Sequence, residues 1–323
     1  MAFFLPRLLL AAALGATLAV AHAQSVFPSR PIKVVVTTPV GVTPDVTARL
    51  IATKLGQAWS MPVVVDNKPG AGGTIAADAV AKAAADGYTL LFAPNPIPTM
   101  APHLYSKLPY AQTDLQPITI VAQVGYVLLA NKDLPVSNMK ELAEYVKARP
   151  GAVSYASYGV GAGTHLLMEK LAAEMQVTML HVPYKTSPLP DLMSGQVQLL
   201  IEPFGGPAVE AVKAGRLKPL GVTMKTRSPA LPKVPSISET FGGFESVGWL
   251  GFWVPAKTPV AVVQKYHDAI AEVMAQQDVQ NQFRDLSIVP VNTGPVTMAQ
   301  TIERESGTWG ALIRRLGIKM DGM

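Results

Sequence analysis

The sequence predicts an α/β chain folded as two lobes of similar construction, each a mostly parallel sheet flanked by helices. Three observations carry this. Short β-branched runs alternate with segments of helical periodicity. One unit of strand, glycine-containing loop, helix and strand occurs at 32–66 and again at 153–182. The length, 323 residues, exceeds one typical core and suits two.

The first series opens with IKVVVT (32–37), a buried strand by its β-branched content. Residues 44–59 carry apolar Val46, Leu50, Leu55 and Trp59 near helical spacing. PVVVD (62–66) is a second strand, 74–84 an alanine-rich helix, and YTLLFA (88–93), after the Asp86-Gly87 turn, a third strand. A βαβαβ order predicts parallel pairing with right-handed crossovers. The second series starts near 125, with strands at 127–130, 153–157, 179–182, 197–201 and 217–222. Its helices are expected at 139–148 and 165–175. The tail is read as helical at 260–275 and 296–316. Lobe 1 is expected at 24–124 plus 249–323 and lobe 2 at 125–248, with crossings near Gln123-Val124-Gly125 and Gly248-Trp249.

Composition excludes several classes. Hydrophobic residues make up 49% and charged residues 15%, a composition that buries cores rather than staying disordered. Arg7, the apolar run 8–20 and Ala21-His22-Ala23 read as a signal peptide cut after Ala23, which implies an exported protein. The absence of cysteine removes disulfides, thiol catalysis and cysteine metal sites. The net charge of +5 comes from scattered basic residues without interleaved aromatics, so nucleic acid is not expected as a partner. The five histidines (22, 103, 165, 181, 267) lack metal-ligand spacing, and no metal is expected.

Two loops can carry chemistry. In Thr37-Thr38-Pro39-Val40-Gly41-Val42-Thr43-Pro44-Asp45, Thr43 reads as an N-cap, Pro44 suits the first helical position and Asp45 complements the helix dipole. In Ser157-Tyr158-Gly159-Val160-Gly161-Ala162-Gly163-Thr164-His165, alternating glycines expose the backbone and Thr164 reads as a cap. A helix N-terminus leaves N–H groups unpaired and partly positive, so each loop offers main-chain donors to an anion. Taken alone, each is also an ordinary strand-to-helix turn. Their matching places, beyond the carboxyl ends of strands, favour a shared site.

Rival motifs fail. Gly159-x-Gly161-x-Gly163 places Thr164 where a dinucleotide fingerprint needs its third glycine, and 179–183 ends without the acidic residue. Residues 68–74 (KPGAGGT) lack the Gly-Lys-Ser/Thr of a P-loop. No cofactor is expected. No H-E-x-x-H or G-x-S-x-G occurs, and no Ser/His/Asp set is apparent, so the chain does not read as an enzyme.

The residues then show a resemblance. FPSRPIKVVV (27–36), Asp45-x-x-Ala48-Arg49, VVVDNKPGAGGTIAADAVAKAAADGYTLL (63–91) and LPY (108–110) are similar to the extracytoplasmic solute-binding proteins of tripartite tricarboxylate transporters, the Bug or TctC family. So are VSYASYG (153–159), THLLMEKL (164–171), HVPYK (181–185), RSPALPKVPSISE (227–239) and WLGFWVPAKTP (249–259), so that nearly the whole chain after the leader is covered. The resemblance implies a type II-like periplasmic binding protein whose two lobes are joined by crossing strands and close on a small organic carboxylate. It implies as partner a tripartite tricarboxylate transporter membrane component or a sensor. A monomer is expected.

The family's first loop is usually Pro-Ala-Gly-Gly, then a small polar residue and Asp; here Val42 replaces a glycine. The second loop commonly has Asn and Ser where this chain has Val160 and Ala162. The third-strand loop, usually small and polar, is Pro94-Asn95-Pro96-Ile97-Pro98, and a frequent Asp near 202 is Glu202. A ligand less polar than citrate, such as an aromatic or alkyl acid, is therefore expected.

The expected ligand-binding set is Val40, Gly41, Val42, Thr43, Asp45, Asn95, Ser157, Tyr158, Gly159, Gly161, Gly163, Thr164, His165, Lys185 and Glu202. Several have plainer readings: Asp45 as a cap-region residue, His165 as a local hydrogen-bonding group, Lys185 as a solvated lysine. Tyr158, Phe204 and Trp249 either wall the pocket or belong to core or interlobe packing. The alternative function is an exported hydrolase or isomerase on the same fold.

Overall fold

The structure, a computed structural model, describes residues 27–228 and 231–320. The expected leader lies outside the described residues.

The chain runs β1 (Ile32–Val36), α1 (Thr43–Trp59), β2 (Val63–Asn67), α2 (Thr74–Ala81), β3 (Thr89–Pro94), two short helices α3 (Pro96–Thr99) and α4 (Ala101–Leu104), and β4 (Leu115–Val124). It continues with β5 (Tyr126–Asn131), α5 (Met139–Lys147), β6 (Ser154–Ser157), α6 (Gly163–Met175), β7 (Leu180–Pro183), α7 (Leu189–Ser194), β8 (Leu199–Pro203), α8 (Gly206–Lys213) and β9 (Leu217–Val222). It ends with β10 (Gly248–Pro255), α9 (Val260–Met274), α10 (Gln277–Asp285), β11 (Val289–Pro290) and α11 (Pro295–Leu316).

Two sheets form, ordered β11-β4-β10-β3-β1-β2 and β7-β6-β8-β5-β9. The expected parallel pairings, β1 with β2 and β3, and β6 with β7 and β8, are present. The rest of each sheet is antiparallel: β10 against β3 and β4, and β5 against β8 and β9. The reason is connectivity. Strand β10 re-enters the first sheet from the second, and β4 leaves it, so these strands run against their neighbours instead of following a βαβ crossover.

Apolar faces explain the layers. Val34, Val36, Ile51, Leu55, Phe92 and Phe252 share one core on the first sheet, where the Phe92 and Phe252 rings lie 4.6 Å apart. Each such fully buried side chain contributes about 1.5–3 kcal/mol of burial free energy. The second sheet has its own core, with Leu128, Tyr155, Leu166 and Leu171, and the far half of α11 joins it through Trp309, Leu312 and Ile313. The C-terminal helix therefore packs on both halves of the molecule. Only Gly125 separates β4 from β5, and Gly248 of β10 pairs with Val124 beside it, so the two crossings run side by side.

Candidate functional site: the cleft at the crossing strands

The two glycine loops are shaped by the same device. In the first, Val42 is the N-cap in extended conformation, without a side-chain cap bond, and Thr43 is the first helical residue. This corrects the reading of Thr43 as a cap. Asp45, third in the helix, instead reaches back and accepts the Gly41 N–H at 2.8 Å. In the second loop Ala162 is the N-cap, again without a side-chain bond, which corrects the reading of Thr164. His165, third in the helix, accepts the Gly161 N–H on Nδ1 at 3.0 Å. Both glycines have positive φ, +87° and +76°, which an L side chain rarely tolerates. With the turn held by these back-bonds, neither cap hydroxyl is needed, and Thr164 Oγ1 accepts the Tyr158 N–H at 3.3 Å instead.

Behind the first loop Asp45 is 1% exposed. Its carboxylate also accepts from Arg49 Nε at 3.0 Å and Asn67 Nδ2 at 2.8 Å. Burial alone would raise its pKa, but the Arg49, Gly41 and Asn67 hydrogen bonds outweigh it and hold it below the usual range. Asp45 thus acts from behind the loop. Val40 and Val42 are both exposed, Val40 the more so.

Behind the second loop Ser157 is fully buried. Its Oγ accepts the Gly159 N–H at 3.1 Å and lies 2.6 Å from His181 Nε2. The His165 and His181 rings stack with centroids 3.8 Å apart and planes 8° apart. Burial lowers both imidazoles to about 4, and the His165 ring adds to the lowering at His181. The Ser157–His181 pair has the outline of a nucleophile and base. Ser157 is sealed from solvent, and no carboxylate hydrogen-bonds His181 to orient it among the described residues. The pair serves as a brace for the loop.

Between the loops lie two adjoining cavities. One of 260 Å³ is walled by Val42, Asn95, Tyr126, Phe204, Trp249 and Ile288. The other, 410 Å³, is lined by Tyr158, Ser187, Glu202 and Asp285, and Thr43, Pro203 and Phe204 border both. Thr43 of the first loop and Tyr158 of the second therefore face one space. Glu202 is buried, and its Oε1 accepts the Tyr158 hydroxyl at 2.7 Å. Burial pushes its carboxyl up to about 7 against the lowering effect of that bond. Asn95 is buried and tied to the wall: its main-chain N–H donates to Trp249 O at 2.9 Å, and its Nδ2 to Glu305 Oε2 at 3.3 Å. Asn95 and Gly163 meet in a small space of 20 Å³ beside Tyr126.

Of the expected residues, Val42, Thr43, Asn95, Tyr158, Gly163 and Glu202 line this region. Asp45, Ser157 and His165 brace it from behind, while Val40 is exposed and lines neither cavity. Lys185 is exposed and lines neither cavity. No Lys or Arg lines either one. Tyr126, Ile288 and Glu305 were not anticipated; they come from segments distant in sequence, and no local motif marks them.

The sequence profile of the tripartite tricarboxylate transporter family receptor matches residues 47–318. Among solved structures, the periplasmic binding protein BugD is 32% identical, with a TM-score of 0.74 covering 91% of this chain and 99% of that one. R. palustris Rpa4515 with adipate is 32% identical, with a TM-score of 0.77 over 91% of this chain and 99% of that one. MatC from Rhodopseudomonas palustris with bound malate is 30% identical, with a TM-score of 0.74 over 89% and 100%. A profile match over most of the chain, on a fold with these two loops at its crossing strands, shows that the chain belongs to the TctC/Bug family of solute-binding proteins.

Proposed function

We propose that this solute-binding protein captures a small carboxylate with an apolar body, less polar than citrate, in the cleft between its two lobes in the periplasm. The observation that carries the reading is that Thr43 and Tyr158, one from each glycine loop, line the same cavity. The first-turn N–H groups that follow the two loops supply anion donors without a cationic side chain. One carboxylate suits such main-chain donors. Three do not, because the other charged lining groups are the acids Glu202 and Asp285. The apolar wall of Val42, Phe204, Trp249 and Ile288 matches an alkyl or aromatic body. The adipate and malate complexes of relatives agree with a carboxylate ligand. Domain closure around the ligand presents the closed form to a tripartite transporter membrane component or a sensor.

A thermal-shift panel of citrate, malate, adipate and benzoate, followed by incubation of each binder and mass analysis, tests the reading. Stabilisation by adipate or benzoate above citrate, with the acid recovered unchanged, is expected. Citrate as the strongest stabiliser overturns the ligand class, and conversion of the acid overturns binding alone.

A further inference from the structure

A further cavity, about 470 Å³, lies behind the crossing strands, within the size range of small-molecule sites. Strand alternation separates it from the cleft: Gln123 faces this cavity and its neighbour Val124 faces the cleft. Trp249 borders both. The walls come from both halves of the molecule, with Lys170 on α6 and Thr301, Glu305 and Thr308 on α11.

Lys170 and Glu305 carry opposite charges on this cavity, yet neither forms an ion pair among the described residues. Lys170 Nζ donates to Glu245 O at 2.5 Å and sits 5.3 Å and 5.5 Å from the Phe244 and Trp309 ring centroids. Glu305 Oε2 accepts from Trp249 Nε1 at 2.9 Å and Asn95 Nδ2 at 3.3 Å. Burial is the largest influence on both, moving Lys170 downward and Glu305 upward against the opposite charges around them: Glu305, Glu174 and Glu245 for Lys170, and Arg304 and Lys170 for Glu305. The Thr301 and Thr308 hydroxyls donate to helix carbonyls at 2.9 Å and 3.1 Å, which leaves their oxygens as acceptors. Glu245 and Arg304 add one more charge of each sign.

We propose that this cavity is a second ligand site, taking a small zwitterion of amino-acid size that bridges the Lys170 ammonium and the Glu305 carboxylate across the void. The ligand carboxylate meets Lys170, and its ammonium meets Glu305 and the threonine oxygens. Because Glu305 also holds Trp249 and Asn95 of the cleft wall, occupancy is felt on the cleft side. The site does not depend on which acid the cleft takes.

The test is titration of the purified protein with L-alanine, with propionate and isopropylamine as single-charge controls, read by calorimetry and by the Trp249 indole N–H resonance, assigned from Trp249→Phe. Saturable alanine binding below about 10 mM, weaker binding of both controls and a shift of the Trp249 signal are expected. Lys170→Met keeps the apolar stem over Phe244 and Trp309, and Thr301→Phe fills the void. Each is expected to weaken alanine binding roughly tenfold or more while circular dichroism stays unchanged. Tyr158→Phe, in the cleft, is expected to leave it alone. Absence of saturable binding overturns the proposal. So does binding that ignores both Lys170→Met and Thr301→Phe but responds to Tyr158→Phe, since alanine would then occupy the cleft. An unmoved Trp249 signal at saturation overturns the link to the cleft.

Discussion

The carboxylate of Asp45 accepts the N–H of Gly41, four residues before it, at 2.8 Å. His165 and Gly161 repeat this relationship at 3.0 Å in the other half of the molecule. A back-bond of this kind folds the chain just ahead of a helix, whose first-turn N–H groups have no carbonyl partner within the helix. One loop uses a charged acceptor and the other a neutral one, which separates their responses to mutation and pH.

Asp45→Ala removes the shared acceptor of Gly41, Arg49 and Asn67. A loss of about 2 kcal/mol in stability is expected, from three unmade bonds partly replaced by water around the half-exposed Arg49. Denaturant melts and ligand titrations check it, with ligand affinity expected to fall more than about tenfold because the loop loses its shape.

His165 accepts a backbone N–H on Nδ1, so its proton sits on Nε2, and its ring stacks on His181. Both folded-state pKa values, about 4, lie below the ordinary 6.5. The unfolded chain therefore binds protons first as pH falls, and stability contributed above 6.5 is lost between about 6.5 and 4. An NMR titration is expected to show both imidazoles neutral at pH 5.5. Either ring titrating near 6.5 contradicts the packing.

Glu202 shifts the other way. Its folded-state pKa of about 7 exceeds the ordinary 4.5, so the folded chain holds a proton that the unfolded chain releases, and stability falls as pH rises from 4.5 to 7. The full effect is about 3 kcal/mol. Glu202→Gln is expected to flatten that slope in pH-dependent melts and to stabilise the protein at pH 8. Carboxylate binding is expected to strengthen from pH 8 to pH 6 in the parent and to lose this dependence in the variant.

Gly161 leaves no room for a side chain: an added Cβ would sit 2.7 Å from Met320 Sδ, on a backbone with φ of +76°. Gly161→Ala is expected to cost about 1–3 kcal/mol. Limited proteolysis should then show earlier release of the C-terminal segment that follows α11.

Local pattern accounts for what was legible in the sequence. The β-branched strands at 32–37 and 62–66 and the helices after both glycine loops follow from periodicity and correspond to β1, β2, α1 and α6. Val42, Thr43, Tyr158 and Glu202 fall in or beside recognisable strand ends, so their places at the cleft could be anticipated. The turn mechanism could not. Thr43 and Thr164 are favourable cap residues, but Asp45 and His165 satisfy the turn from inside the helix. The prolines at 94, 96, 98 and 102 suggest loop, yet α3 and α4 form because proline is tolerated in a first helical turn. Glu305 reaches Asn95 across 210 positions, a contact that only the packing of α11 creates.

A crystal structure of the protein with its tightest-binding acid tests the central claim most directly. A ligand carboxylate is expected between the turn at Val42–Thr43 and the turn at Gly163–Thr164, bonded to main-chain N–H groups of both, with its body against Phe204 and Trp249. A carboxylate held elsewhere, or by only one of the two turns, would contradict the account.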